Sequence, residues 1–280
     1  MVLLAGVLAS ILAMSSFVIG DVVSKVSTNS IGVRNTVRYA LAAGILPAVI
    51  AVWIAGFGHV TAYALALSII SGVLMVFGYK FLYSSLATEQ VTDTFINVEL
   101  IPALMVIFGL FWLKERITDI SELGTVVIFI GIGVVLLGEE FKINRSMIPA
   151  TVGSAFYAVS VLTSILAVNA SRSFAMPLFV VMIVALTWAL FSKRDEHRKS
   201  NKTRVSKIIP ALTVGILNGV GGLMIMYASY FKLVTFAGAI TALEPVFVGV
   251  AGYLFFKEKL NRMQLAGFIL AISGAVLLGL

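Results

Sequence analysis

The sequence has 280 residues with a formal net charge of +7; 60% of the residues are hydrophobic, 12% are charged, and the mean hydropathy is +1.07. No soluble domain of this size has such a composition, so the sequence predicts an integral membrane protein with no room for a soluble catalytic domain. The absence of cysteine excludes disulfides and thiolate chemistry.

Much of the positive charge is concentrated in one polar run. Residues 193–207 contain seven lysines or arginines and two acids. Such a run is typical of a cytoplasmic loop beside anionic lipid head groups. Binding to nucleic acid would need interleaved aromatic side chains, which this run lacks, so no nucleic-acid partner is expected.

Hydropathy in windows of about 19 residues predicts ten spanning segments in chain order. Their lengths, and the need to satisfy every backbone hydrogen bond within lipid, predict an all-α membrane protein rather than a barrel. The predicted spans are Val2–Gly20, Val37–Phe57, Tyr63–Leu86, Thr92–Leu113, Ile120–Leu137, Met147–Val168, Phe174–Phe191, Ile208–Phe231, Phe236–Phe256 and Leu260–Leu280.

Two of these spans carry a glutamate close to a proline. Glu99 precedes Pro102 in the fourth span, and Glu244 precedes Pro245 in the ninth. An ionisable residue inside a membrane helix usually faces a partner, water or a substrate, and a proline break is tolerated where it lines a cavity. The sequence therefore predicts one site built twice, with helix breaks at both prolines. The alternative is a protonated glutamate that only bonds a neighbouring helix.

The two halves of the chain are similar to each other. A shift of 143 residues aligns Pro102 with Pro245 and the turn Leu113–Arg116 with Phe256–Lys259, as well as Gly124 with Gly267 and Gly131 with Gly274. Five spans in each half reverse the orientation of the second copy. The sequence thus predicts two inverted five-helix repeats, residues 1–140 and 141–280, with a binding site near the membrane midplane between them.

These features together resemble the drug/metabolite transporter superfamily, and within it the EamA-like ten-helix permeases. The resemblance rests on the proline-bearing fourth helix of each half, the turns LKER and FKEK, the fifth helices ending VVLLG and AVLLG, and the arginine-containing segment Arg34–Tyr39. It covers essentially the whole chain. It implies export or exchange of small metabolites through a cavity lined by the first four helices of each half, with each fifth helix packed outside.

The charge distribution predicts an orientation in the membrane. Lysine and arginine are more frequent in connections that follow odd-numbered spans. The positive-inside rule therefore places these connections in the cytoplasm and both termini outside. The resemblance implies cytoplasmic termini instead.

Further polar residues are predicted to surround the two glutamates. Lys80 is the cationic partner expected within the membrane, with snorkelling to the interface as the alternative. Asp21 and Arg38, near the first connection, are predicted to form a gate. The remaining residues predicted to bind substrate or proton, each also explicable as an interhelical hydrogen bond or an interfacial anchor, are Asn97, Thr241, Asn218, Tyr157 and Tyr227.

The pattern predicts a secondary transporter of small metabolites, such as amino acids or drug-like compounds, that works by alternating access. A central glutamate that releases its proton when a cationic substrate arrives would provide proton coupling. The nearest alternative is facilitated exchange without protons, and the others are a membrane-embedded enzyme acting on lipid-linked groups and a non-transporting subunit. No catalytic residue, metal or cofactor is expected, because both histidines fall in connections and no phosphate-binding motif occurs. The expected setting is the plasma membrane, where the multi-pass chain contacts lipid as a monomer or homodimer.

Overall fold

The computed structural model describes residues 2–86, 100–138, 147–191, 205–257 and 261–278. These residues are helical apart from short connections, and no strand occurs among them. The helices are α1 (Val2–Ile31), α2 (Val33–Ala55), α3 (Ala62–Leu86), α4 (Leu100–Ile107), α5 (Asp119–Gly138), α6 (Met147–Ser171), α7 (Ala175–Phe191), α8 (Ile209–Tyr230), α9 (Val234–Thr241), α10 (Glu244–Ala251) and α11 (Arg262–Leu278).

The described helices have the length and apolar composition of membrane helices. Six helical segments are long and apolar enough to cross one, and shorter apolar helices cover Ile101–Trp112, Ala175–Trp188 and Arg262–Leu278. The all-α prediction is therefore confirmed for the described part of the chain. Ten membrane crossings remain a prediction.

The first helix is longer than its hydropathy predicts. α1 continues to Ile31, so the predicted end of the first span at Gly20 is wrong. The buried hydroxyl side chains in this second half are satisfied by the protein itself: Ser27 Oγ, for example, lies 2.9 Å from Thr36 Oγ1 of α2. Only Gly32, with a φ of 83°, separates the two helices. Asp21 therefore lies inside a helix rather than beside a connection.

The ninth predicted span is broken beside its proline. α9 ends at Thr241, and α10 begins at Glu244 with Pro245 in its first turn. Proline is accepted there because the N–H groups of a first turn have no partner within their own helix. In the fourth predicted span Pro102 is the third described residue of α4, and the residues before Leu100 lie outside the described part.

The two proline-bearing spans end in the same way. α4 passes into a π-helical turn at Phe108–Trp112, and α10 passes into another at Gly252–Phe256. A lysine in the left-handed backbone region follows each turn, Lys114 with a φ of 52° and Lys257 with a φ of 58°. The repeat seen in the sequence thus has a local structural counterpart.

Contacts between the halves follow an approximate two-fold relation. α1 packs on α8 as α6 packs on α3, and α2 packs on α8 as α7 packs on α3. α4 packs on α9, and α5 packs on α11. Each contact therefore has a counterpart in which the roles of the two halves are exchanged, as a duplicated fold requires.

Glycines bring α5 and α11 into close contact. A Cβ atom added to any of four glycines would lie within 2.6 Å of a backbone atom of the opposite helix; the four are Gly124, Gly131, Gly267 and Gly274. Small residues let two membrane helices approach until their backbones touch, which increases their van der Waals contact. The recurring glycines of the fifth helices therefore hold these helices to each other.

Replacing one of these glycines should destabilise the protein. In Gly131→Ala the added methyl group would lie 2.5 Å from Ala271 N and 2.7 Å from Gly267 O. We expect a loss of about 1–3 kcal/mol, the usual cost of overpacking. Gly133→Ala in the same helix is the matched control, because its Cβ would have no neighbour within 4 Å. Thermal unfolding in detergent should show a lower midpoint for Gly131→Ala alone; equal midpoints for the two variants would contradict this packing.

Candidate functional site

A cavity lies between the two halves. Its walls come from α1, α3 and α4 of the first half and from α6, α8, α9 and α10 of the second. These are the first, third and proline-bearing helices of each repeat. The described residues of α2 and α7 contribute no lining residue, contrary to the expectation that the first four helices of each half line the cavity. The fifth helices, α5 and α11, contribute none either, as the resemblance implied.

The cavity holds a pair of acidic side chains. Asp21 of α1 is 7% exposed and Glu244 at the start of α10 is 6% exposed, and both line the cavity. Their carboxyl groups lie within hydrogen-bonding reach of each other. A carboxylate only accepts hydrogen bonds, so a bond between two carboxyl groups needs a proton on one of them. The pair can therefore hold one proton and one negative charge.

The two acids lie close together because α1 is unusually long and because the helix is interrupted between α9 and α10. α1 extends beyond its apolar first half, which carries Asp21 to the level of the cavity. The turn at Ala242 and Leu243 ends α9, so Glu244 enters the first turn of α10. The partly positive N-terminus of a helix favours a negative charge in its first turn.

Three tyrosines form one wall of the cavity. Tyr79 stacks on Tyr83 with ring centroids 5.3 Å apart and on Tyr157 with centroids 5.4 Å apart. Tyr79 and Tyr83 lie on one face of α3, because residues four apart share a face of a helix. All three line the cavity. The ring faces offer a surface for flat or cationic groups.

Asn218 and Thr241 add polar atoms. Asn218 Nδ2 donates to Tyr83 Oη at 3.1 Å, while its buried Oδ1 has no hydrogen-bond partner within the described part of the chain. Thr241 Oγ1 donates to Ala237 O at 2.8 Å within its own helix. Both residues line the cavity. The amide oxygen of Asn218 packs against Gly20 of α1.

Several predicted site residues lie elsewhere. Lys80 is exposed and is not among the lining residues, so the structure does not support its placement in the binding site. Snorkelling from α3 agrees with that exposure. Tyr227 also lies outside the lining, in an aromatic cluster with Phe174 and Phe231. A role of Tyr227 in binding stays a prediction.

The structure places the two residues of the predicted gate apart from each other. Asp21 belongs to the cavity rather than to a connection, whereas Arg38 Nη2 donates to Leu190 O of α7 at 3.2 Å. A gating role for Arg38 stays a prediction. Of the predicted helix breaks, Pro102 lines the cavity and Pro245 follows the observed break. Glu99 and Asn97 lie outside the described residues, so their roles stay predictions.

The sequence did not identify most of the cavity wall. Tyr79 and Tyr83 were not predicted to line the cavity, although their spacing places both rings on one helix face. The aromatic and apolar residues Phe17, Met105 and Met226 also line the cavity and carry no distinguishing sequence signal. Apolar residues occupy nearly every position of a membrane helix, so those facing a cavity are not distinct in composition.

Together, the fold and the cavity define a helical membrane protein with a cavity between two repeats. The model of the EamA-like transporter family matches residues 4–137 and again residues 145–280. The protein therefore belongs to the EamA-like transporter family, and the resemblance inferred from the sequence is confirmed. The family places it among membrane transporters of the drug/metabolite type.

Comparison with solved structures supports the fold independently. One crystal structure contains a chain that superposes with a TM-score of 0.68, covering 97% of this chain and 98% of that chain at 18% sequence identity. At this identity the likeness shows the fold alone. No curated protein matches the sequence.

Proposed function

We propose that this transporter exchanges a small organic cation for a proton across the plasma membrane by alternating access. The observation that carries the proposal is the charge of the cavity. Its described lining contains two carboxyl groups, Asp21 and Glu244, and neither a lysine nor an arginine. In such a wall an anion would meet only like charge, whereas a cation would compensate the buried negative charge.

The acid pair provides the coupling. In the empty cavity one proton between Asp21 and Glu244 keeps two neighbouring carboxyl groups from ionising together. A bound cation stabilises the second negative charge, so the proton leaves as the cation enters. Cation and proton then occupy the pair in alternation, and rocking of one repeat against the other exposes it to each side in turn.

The remaining lining suits an aromatic cation with N–H groups. Ring faces such as those of Tyr79 and Tyr157 attract cations with about 0.5–2 kcal/mol, more when water is excluded. A substrate N–H that reached the buried Oδ1 of Asn218 would give this oxygen a hydrogen-bond partner. An unpaired buried acceptor costs about 1–3 kcal/mol, which such a substrate would recover.

Transport into proteoliposomes tests the proposal. Ethidium is a suitable probe because it is a permanent aromatic cation with N–H donors; a weak base would accumulate in acidic vesicles without a carrier. Vesicles with an acidic interior should accumulate ethidium above the level in protein-free vesicles. Radiolabelled phenylalanine, a zwitterion, should not accumulate. Accumulation of phenylalanine alone would contradict the substrate class, and ethidium exchange that ignores the pH gradient would contradict the coupling.

The tyrosine wall gives a further prediction. Tyr79→Leu removes the central ring of the stack, and we expect the half-saturating ethidium concentration to rise by about tenfold, which corresponds to about 1.4 kcal/mol. Tyr79→Phe keeps the ring face and should change it by less than about threefold. Tyr63→Leu, on an exposed part of the same helix, is the control. Ethidium uptake curves for the three variants provide the measurement; an unchanged Tyr79→Leu would exclude the ring from binding.

A further inference from the structure

A carboxylate outside the cavity joins the two halves. Glu115 lies in the turn after the π-helical end of α4, in the first half of the chain. Its Oε1 accepts a hydrogen bond from Val234 N at 2.9 Å, and its Oε2 accepts one from Thr235 N at 2.7 Å. Both N–H groups belong to the first turn of α9, in the second half.

The contact between Glu115 and the first turn of α9 is strong because of the groups that form it. The first N–H groups of a helix have no partner within that helix, and the helix dipole adds positive charge at the same end. A carboxylate that binds two of them makes two charge-assisted hydrogen bonds, which are stronger than neutral ones. Sequence spacing gave no sign of this partner, because more than 100 residues separate Glu115 from it.

The residues around this contact are tightly packed. A Cβ atom on Gly109 would collide with Thr235 Oγ1 and would lie 2.9 Å from Glu115 Oε2. Glycine at this position therefore allows the turn to approach α9 closely. Gly109 O also accepts the backbone N–H of Glu115 at 3.0 Å, which fixes the glutamate's own backbone.

α9 leads directly to the binding site. Its first turn is held by Glu115, and seven residues later its last residue, Thr241, lines the cavity beside the break that precedes Glu244. α9 also packs on α4 and on α1, which carries Asp21. One short helix therefore connects the turn of Glu115 to the break beside Glu244 and lies against the helix that carries Asp21.

We propose that Glu115 is a positioning residue that closes the cavity on the side of the membrane where its turn lies. Rocking of the halves must separate the Leu113–Arg116 turn from α9 on that side, so opening there breaks both hydrogen bonds. The contact is thus specific to one of the two orientations of the cavity. This inference rests on the alternating access proposed above but not on the charge of the substrate.

The sequence repeats both members of this contact. At the offset of 143 residues, Glu258 corresponds to Glu115, and Val91–Thr92 correspond to Val234–Thr235. The residue types of both partners thus recur in the other half of the sequence; Val91, Thr92 and Glu258 themselves lie outside the described residues.

Thiol accessibility tests the proposal, because the chain contains no cysteine of its own. Val161→Cys places one thiol in the cavity wall, and Arg116→Cys in a separate sample marks the side of the Glu115 turn. Membrane-impermeant maleimide is applied from each side of oriented proteoliposomes. Adding Glu115→Ala to Val161→Cys should raise the labelling rate by at least about tenfold from the side that labels Arg116→Cys, and should not raise it from the other side.

Controls separate positioning from a general loss of structure. Glu122→Ala replaces an exposed glutamate of α5 and should leave labelling unchanged from both sides. Glu115→Gln keeps one acceptor oxygen and should give an intermediate rate. Gly109→Ala should reproduce the one-sided increase. Equal increases from both sides would assign Glu115 to general stability and overturn the proposal, as would unchanged labelling in Glu115→Ala. Labelling measures the accessibility of the introduced thiol rather than the transport of a cation. The labelling result can therefore be interpreted even if the protein does not transport cations.

Discussion

Glu244→Gln should abolish proton-driven accumulation of ethidium in proteoliposomes. Glutamine has nearly the same shape as glutamic acid but cannot release a proton, so the exchange at the acid pair cannot take place. It also removes one of two buried charges that a bound cation would meet. Loss of one partner of a buried charge pair costs about 3 kcal/mol, which lowers apparent affinity on the order of a hundredfold.

The pH dependence distinguishes coupling from binding alone. In the wild-type protein the initial rate should increase as the vesicle interior is made more acidic, whereas any residual flux through Glu244→Gln should be independent of the gradient. Glu122→Gln, at an exposed position, should behave as wild type. A Glu244→Gln variant with an unchanged response to the gradient would remove Glu244 from the coupling.

Asp21→Asn should cause a loss of similar size, although Asp21 lies more than 200 residues from Glu244 in the chain. The two acids share one hydrogen bond and one proton in the proposed cycle, so neither can exchange a cation for a proton alone. The double variant Asp21→Asn/Glu244→Gln should therefore be little worse than either single variant. Such non-additivity is the signature of residues that act as a unit.

The same variants distinguish the cavity role of Asp21 from the gating role that its position in the sequence suggests. A gate residue would alter the rate but leave the response to the pH gradient intact. Asp119→Asn, at the exposed first residue of α5, is the matched control and should change neither. Losses from the two single variants that add in the double variant would show that the acids act separately.

The repeat and the membrane class were predictable from sequence because they depend on many residues at once. Apolar length identifies helices that must satisfy their own backbone in lipid, and the shared turns LKER and FKEK mark the duplication. Glu244 and its helix break were predictable for a related reason: an acid and a proline are both costly in a membrane helix and are retained beside a cavity.

Asp21 was misplaced because hydropathy averages over a window. The second half of α1 contains Asp21, Lys25 and several serines, so its average resembles that of a connection. Hydrogen bonds such as that of Ser24 to Asp21 O at 2.6 Å satisfy these groups inside the helix. Phe17 and Asp21 are one helical turn apart and therefore lie on the same face of α1. An average over a window does not distinguish the faces of a helix, so it removes this signal.

The contact of Glu115 with α9 could not be predicted from local pattern. Glu115 lies between basic residues in a turn, so the sequence favours local ion pairing as the role of this acid. Its observed partners are backbone N–H groups, which every residue except proline carries, so the sequence gives no side-chain signal for them. Only the packing of α4 against α9 brings the two together.

Proton release on binding is the most direct measurement of cation–proton exchange at the acid pair. Ethidium is added to the purified protein in weakly buffered detergent solution, and released protons are counted with a pH-sensitive dye against the amount of ethidium bound. We predict about one proton released for each cation bound, and none in Glu244→Gln at ethidium concentrations that still give binding. Binding without proton release by the wild-type protein, or equal release by Glu244→Gln, would contradict the exchange.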